Sequence, residues 1–437
     1  MKMKMKMKIS GRARALAWLL TIVYFASYLT RKNFNVMISA IAESMATGNA
    51  PGALEAMETE LSVIPVGLTI AYAVGQILSG LLGDRIKPQY LLTFGLGLAA
   101  VCNIVMPFAS SSVPWMTVIW SINGLAHAML WPPIIRLMSM NLSGEEYAYA
   151  AVRVSWGSSI ATIFLYLICP LLLSVLDWTV ILMLCAAGGI LINLIWTFTN
   201  KRLLGGASEK ESEKVPSSAA EKPRRVPLPG FVFAAVALIM LGIILQGMLR
   251  DGVETWMPSY LLKTFGWPAE YAILATVILA VFSIVSFSAF DLLHRKLLRN
   301  EVFCSAAIFV LSALCAFALY IVNLAVGSDN TAPVFAMVMM AIITSCMHGI
   351  NLMLITVVPK RFVKSGRVAT FSGILNACTY VGSAVAVYSF AVIKDVLGWD
   401  AVILIWGIVS VLGVAVCLAA TPIWRKFRRV YSDNDEV

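Results

Sequence analysis

Apolar runs long enough to cross a lipid bilayer recur twelve times along this chain, and little else in the sequence narrows its fold so far. A hydrocarbon core of ~30 Å takes about 20 helical residues to cross. The runs lie near 13–43, 60–83, 90–109, 114–139, 147–175 and 178–198, then near 231–262, 268–292, 301–325, 331–358, 367–393 and 399–423. Charged residues are 13% of the chain and hydrophobic ones 60%, against roughly 25% and 45–50% in a soluble domain. In lipid each backbone N–H and C=O has to be bonded within the protein. The sequence therefore predicts an all-α membrane protein of twelve transmembrane helices.

The spans fall into two sets of six, separated by a stretch rich in charge, Ser and Pro at 200–230 that has too few large apolar residues to bury a core. The predicted organisation is a six-helix bundle at 1–199, a cytoplasmic linker at 200–230, and a second six-helix bundle at 231–437 ending in a short basic and acidic tail. Lys and Arg set the orientation. They crowd MKMKMKMK with Arg12 and Arg14, then Arg85 and Lys87, the linker, HRKLLR at 294–299, PKRFVKSGR at 359–367 and RKFRR at 425–429. The alternate loops hold Glu55, Glu58, Asp177, Asp329 and Asp400, with Lys263 and Lys394 as basic exceptions. Both termini are thus expected in the cytoplasm. The net charge of +10 belongs to this headgroup-level pattern, where an anionic leaflet attracts it, and not to nucleic-acid binding. The first apolar run is too long for a cleaved leader and is expected to be retained. All eight cysteines lie in apolar runs without a CxxC pair, which implies neither disulfides nor a metal site.

The halves superimpose by position. Arg31 and Arg250 are 219 residues apart, His127 and His348 221, and Ser143-Gly144 and Ser365-Gly366 222. A parallel repeat of six spans is the plan of many secondary transporters, with substrate bound near midplane. An arginine at a helix centre costs ~2.5–3.5 kcal/mol even on the lenient insertion scale and usually faces a watery interior. The repeat therefore predicts that Arg31 and Arg250 face one central path as an oxyanion clamp, since the guanidinium fork matches phosphate or carboxylate. Two positive charges favour organic or inorganic phosphate as substrate.

Four stretches carry a specific resemblance: YxxxYLTRKNF at 24–34, AYAVGQILSGLLGDRIKPQ at 71–89, GLAHAMLWPPIIR at 124–136 and RDGVETWMPSY at 250–260. Together they resemble the organophosphate:phosphate antiporter family of the major facilitator superfamily, over essentially the whole chain. The resemblance implies the major facilitator fold, with Arg31 and Arg250 binding phosphate and Lys32 adding charge. It also implies that Tyr24, Tyr28, Tyr72 and Tyr380 offer hydroxyls to the phosphate or the organic part, and that Asp84 and Arg85 gate or brace the loop after the second span. Gln76 stands where the family's glycerol-phosphate transporters have lysine, and the fifth span reads Ser155-Trp156-Gly157-Ser158-Ser159-Ile160 where they have histidine. Such a pocket is remodelled, so the organic moiety stays open.

Other residues have two readings. His127 and His348 can titrate and help bind the anion, or serve as helix-packing donors. Glu254 lies one turn after Arg250 and can neutralise it; Glu254 or Asp251 can also act as a proton site. Trp131-Pro132-Pro133 kinks the fourth span. The leading expectation is a monomeric exchanger of organic phosphate for inorganic phosphate, multi-pass in a bacterial inner membrane, without cofactor. Two alternatives are kept: a proton-coupled transporter of a carboxylate or other organic anion, and a transporter-like sugar-phosphate sensor. No phosphate-cradling glycine loop, metal cluster or nucleophile with its base is present in the sequence, so an enzyme is not expected.

Overall fold

A computed structural model describes residues 9–46, 53–212, 226–325 and 332–432. The MKMKMKMK start, Asp329, the side chain of Glu55 and most of the linker lie outside the described residues. Apolar helices run over Gly11–Met45, Ala56–Gly83, Pro88–Ala109, Val113–Asn141, Gly144–Leu173, Trp178–Leu204, Val232–Phe265, Val277–Lys296, Glu301–Leu324, Ala332–Lys360 and Val368–Tyr431. They are named here first to eleventh in that order, except that the last holds two spans. It bends at Gly398, whose φ of 78° is a conformation that suits glycine alone. The eleventh span ends there and the twelfth begins, so the described residues contain twelve crossings, as the sequence predicts.

The termini of these helices follow local chemistry. Ser10 caps the first span by accepting the Ala13 N–H at 3.2 Å. Ser143 and Glu146 form a reciprocal capping box at the start of the fifth. The sixth span's helix continues to Ser212, well past 199 where the sequence reading ends the first bundle. Its extension, KRLLGGASEKES, contains helix formers at most positions and no proline before Pro216.

The chain divides into two compact units. The first is Met1–Val226 with Val363–Thr370, the second Pro227–Phe362 with Phe371–Val437. In the first, the first span packs on the fifth, the second on the fourth and the third on the sixth. Phe34 and Trp120 meet in its core with ring centres 5.3 Å apart. In the second, the tenth span packs on the seventh, eighth and ninth.

Both units break a span at the same repeat position. The fourth span stops at Ala128, turns through Met129 and Leu130, and resumes at Trp131. Pro132 and Pro133 lack the N–H groups that would continue the ladder, and proline is well placed in a first helical turn. The tenth span instead widens into a π-turn over Leu352–Val357, a feature frequent at functional sites. Trp131 and Leu352 are 221 residues apart, the spacing of the two histidines.

Candidate substrate-binding residues

In the first unit six of the sequence-predicted residues come together. Tyr24, Tyr28 and Arg31 recur at helical spacing on one face of the first span. The Arg31 guanidinium carbon lies 4.0 Å from the Tyr72 ring centre and 5.8 Å from that of Tyr28. Lys32 Nζ is 6.0 Å from the Tyr28 ring. Tyr24 packs on Tyr28 at 5.2 Å and on Trp131 at 4.9 Å, so Trp131, expected only to kink its helix, also walls the cluster. One turn after Tyr72 on the second span, Gln76 is fully buried and neither of its amide atoms has a hydrogen-bond partner among the described residues. Such an amide is costly unless something bonds it.

Behind Arg31 is a polar network that the sequence reading missed. The Thr30 carbonyl accepts from Asn103 Nδ2 at 2.8 Å and Asn123 Nδ2 at 3.0 Å. Asn103 also accepts from Asn33 at 2.7 Å, and the Phe34 N–H turns to Asn33 Oδ1 at 2.9 Å. The third and fourth spans thereby hold the backbone from which Arg31 projects.

His127 belongs to the same packing. It is buried, with Nδ1 2.8 Å from the Asn123 carbonyl and Nε2 2.7 Å from the Ser27 carbonyl and 3.2 Å from Thr30 Oγ1. Both ring nitrogens lie within hydrogen-bond distance of helix-backbone carbonyls, as a histidine that packs helices would have them.

In the second unit Arg250 lies in the seventh span, and Asp251 takes its fork with both oxygens. Nε to Oδ1 is 2.6 Å and NH2 to Oδ2 is 2.9 Å. Glu254 lies one turn on, half-buried. Gln246, one turn before Arg250, is fully buried and donates to the Met347 carbonyl at 3.0 Å, next to His348. His348 meets the Phe287 ring edge-on at 5.4 Å. Tyr380 is half-buried beside Thr379, whose carbonyl faces Gly247 where the seventh and eleventh spans cross.

The loop after the second span is braced through Asp84. Its two oxygens accept the N–H groups of Ala369 and Thr370 at 2.9 Å each, in the segment that belongs to the first unit. These are donors of a helix's first turn, so a carboxylate from another span serves as their cap. Gly80 permits the approach, since a Cβ there would stand 2.7 Å from the Ala369 carbonyl oxygen. Arg85 is exposed, and its side chain has no hydrogen bond or ion pair among the described residues. Arg136 bonds the carbonyls of Gly83 and Ile86 on either side of Arg85.

Comparison with known proteins places this architecture. Residues 20–387 match the Major Facilitator Superfamily. The chain belongs to that superfamily. Its members are membrane transporters, so the protein is an integral, multi-pass transporter and not an enzyme. Solved superfamily structures share the fold: the proton:xylose symporter XylE aligns with a TM-score of 0.70 at 13% identity, covering 97% of this chain and 100% of that one. The E. coli fucose:proton symporter FucP aligns at 0.67 and 13% identity, covering 94% and 99%. By sequence, the glycerol-3-phosphate transporter of Bacillus subtilis is 35% identical over 128 residues, 29% of this chain and 27% of that protein. The match thus spans about a quarter of that relative's length. Sugar phosphate exchanger 3 of Bos taurus is 24% identical over 396 residues, 78% of this chain and 75% of its own.

Proposed function

We propose that this protein exchanges an organic phosphate, of the sugar phosphate or glycerol phosphate type, for inorganic phosphate by alternating access. Arg31 and Arg250 bind the phosphoryl group. The observation that carries this reading is the setting of Arg31: a guanidinium against Tyr28 and Tyr72, with Gln76, one helical turn after Tyr72, buried and its amide without a hydrogen-bond partner among the described residues. Aromatic rings within this distance attract the cation, and the planar edge of a guanidinium is the part that recognises oxyanions. Gln76 supplies a neutral donor and acceptor suited to sugar or glycerol hydroxyls. The relatives named for glycerol 3-phosphate and sugar phosphate support the same class.

At the second arginine, Asp251 occupies the fork that a phosphoryl group would take. In this reading it balances the charge of the empty site and is displaced by substrate; Lys32, Tyr24, Tyr380 and His348 add contacts to the anion or its organic part. The Asp84 cap on Ala369 and Thr370 is assigned to gating. In this reading the protein works as a monomer in a bacterial inner membrane with both ends in the cytoplasm.

Proteoliposomes test this directly. Vesicles loaded with inorganic phosphate are expected to take up labelled glycerol 3-phosphate or hexose 6-phosphate, and empty vesicles are not. Absence of exchange across a broad phosphoester panel contradicts the proposal. The Asp251–Arg250 pair favours one second reading, in which a carboxylate carries a proton with an organic anion. Uptake driven by an imposed pH gradient without internal phosphate would select it.

A further inference from the structure

Arg153 is an intramembrane arginine outside the cluster described above. It is the tenth residue of the helix Gly144–Leu173, so about nine rises of ~1.5 Å put it roughly 14 Å along that helix. Thirty residues reach ~45 Å, more than a ~30 Å hydrocarbon core. The first residues therefore stand outside the hydrocarbon and Arg153 lies just within its edge.

Its surroundings are aromatic. The guanidinium carbon sits 3.3 Å from the Tyr149 ring centre and 5.2 Å from that of Trp156. NH1 donates to the Tyr149 carbonyl at 3.2 Å, so the side chain bends back one turn toward the start of its helix. Long basic side chains that snorkel to the headgroups bend this way. Among the described residues Nε is buried without a hydrogen-bond partner, and no carboxylate pairs with the half-buried Arg153. Glu146, two turns earlier, is held by Ser10 Oγ at 2.6 Å and by the Ser143 N–H at 3.2 Å.

The first span completes the surface. Its start lies beside the start of the fifth span, because Ser10 and Glu146 bond across them. Trp18 packs on Trp156 at 6.5 Å yet is 45% exposed. One turn before Trp18, Arg14 is exposed and, among the described residues, its guanidinium donates to the Ile9 carbonyl. Farther along both helices the seam presents apolar side chains outward: Ile22, Ile160 and Phe164 are 44%, 39% and 45% exposed.

We infer that this seam binds an anionic phospholipid, with its headgroup phosphate on Arg153 and Arg14. Trp18, Trp156 and Tyr149 sit at the interface level where amphipathic rings collect. The acyl chains lie along Ile22, Ile160 and Phe164. A phosphate oxyanion is the ligand that a guanidinium fork without a carboxylate recognises. The outward apolar face selects a lipid over a free anion, and the basic end of the helices matches a negatively charged leaflet.

The test titrates the detergent-purified protein with phosphatidylglycerol, phosphatidylcholine and inorganic phosphate. It reads the melting midpoint and the number of lipids retained in native mass spectrometry. Phosphatidylglycerol is expected to raise the midpoint beyond phosphatidylcholine and to leave one tightly retained lipid. Arg153→Gln should remove that lipid and at least half of the excess shift, Arg153→Lys should keep much of both, and Arg31→Ala should leave both unchanged. Arg14→Gln, at an exposed position, is the second variant and should weaken retention several-fold. Unchanged retention in Arg14→Gln and Arg153→Gln overturns the inference. So does a midpoint shift that inorganic phosphate reproduces, which would indicate a free-anion site.

Discussion

The two units carry an arginine at the same repeat position and seat it differently. Arg31 lies against the Tyr72 and Tyr28 rings, whereas Arg250 is gripped at two atoms by Asp251. The supports behind them differ as well. In the first unit His127 joins the fourth span to the Ser27 carbonyl of the first; in the second Gln246 joins the seventh span to the Met347 carbonyl of the tenth. The repeat has kept the location of each cross-tie while the group that makes it has changed. The lesson is that matched position does not mean matched chemistry, and the two arginines need not be interchangeable.

The largest effect that sharpens this comparison is expected at the arginines themselves. Arg31→Ala and Arg250→Ala should each reduce exchange in proteoliposomes by about 100-fold or more, since a charged hydrogen bond contributes ~1.5–3 kcal/mol and each fork makes more than one. Retained exchange in either variant would show that one unit suffices. Next is the asparagine network peculiar to the first unit. Asn103→Ala leaves the buried Thr30 carbonyl and Asn33 short of partners and should cost about 1–3 kcal/mol, read as a lower melting midpoint in detergent. An unshifted midpoint would mean that the network does not hold Arg31.

Tyr72→Leu removes a ring from Arg31 and is expected to weaken anion binding by ~0.5–2 kcal/mol, while Tyr72→Phe should stay near wild type. Equal losses in the two variants would shift the role from the ring to the hydroxyl. The smallest effect is expected in the second unit with Asp251→Asn. Without its ionised competitor Arg250 should bind the anion roughly fivefold more tightly, about 1 kcal/mol, in a binding titration. Weaker binding would mean that Asp251 positions the arginine instead of competing for it.

The spans were legible in the sequence because bilayer thickness dictates their length, and the described helices start and stop within a few residues of the apolar runs over most of the chain. Arg31 was legible from the internal repeat, and Tyr24 and Tyr28 beside it only through the family resemblance. The pairing of Arg250 with Asp251 was not, because neighbouring residues on a helix point about 100° apart and only a long side chain folding back brings them together. Asn33, Asn103 and Asn123 read in sequence as isolated polar residues within apolar runs; their partners are some 70 to 93 positions away. The carbonyls that face the His127 ring, of Ser27 and Asn123, are main-chain groups that no sequence pattern marks. Arg136 and Arg153 have no counterpart at the repeat spacing, so the symmetry that singled out Arg31 passed over them.

The most direct measurement is thermal stabilisation of the purified protein by inorganic phosphate, glycerol phosphate, several sugar phosphates and matched carboxylates, in wild type, Arg31→Ala and Arg250→Ala. A ligand at 100 times its Kd stabilises the folded state by about 2.7 kcal/mol, enough to shift the melting midpoint. The account predicts that at least one phosphoester shifts wild type and neither variant. A shift by carboxylates alone, or a phosphate shift that survives both substitutions, would contradict it.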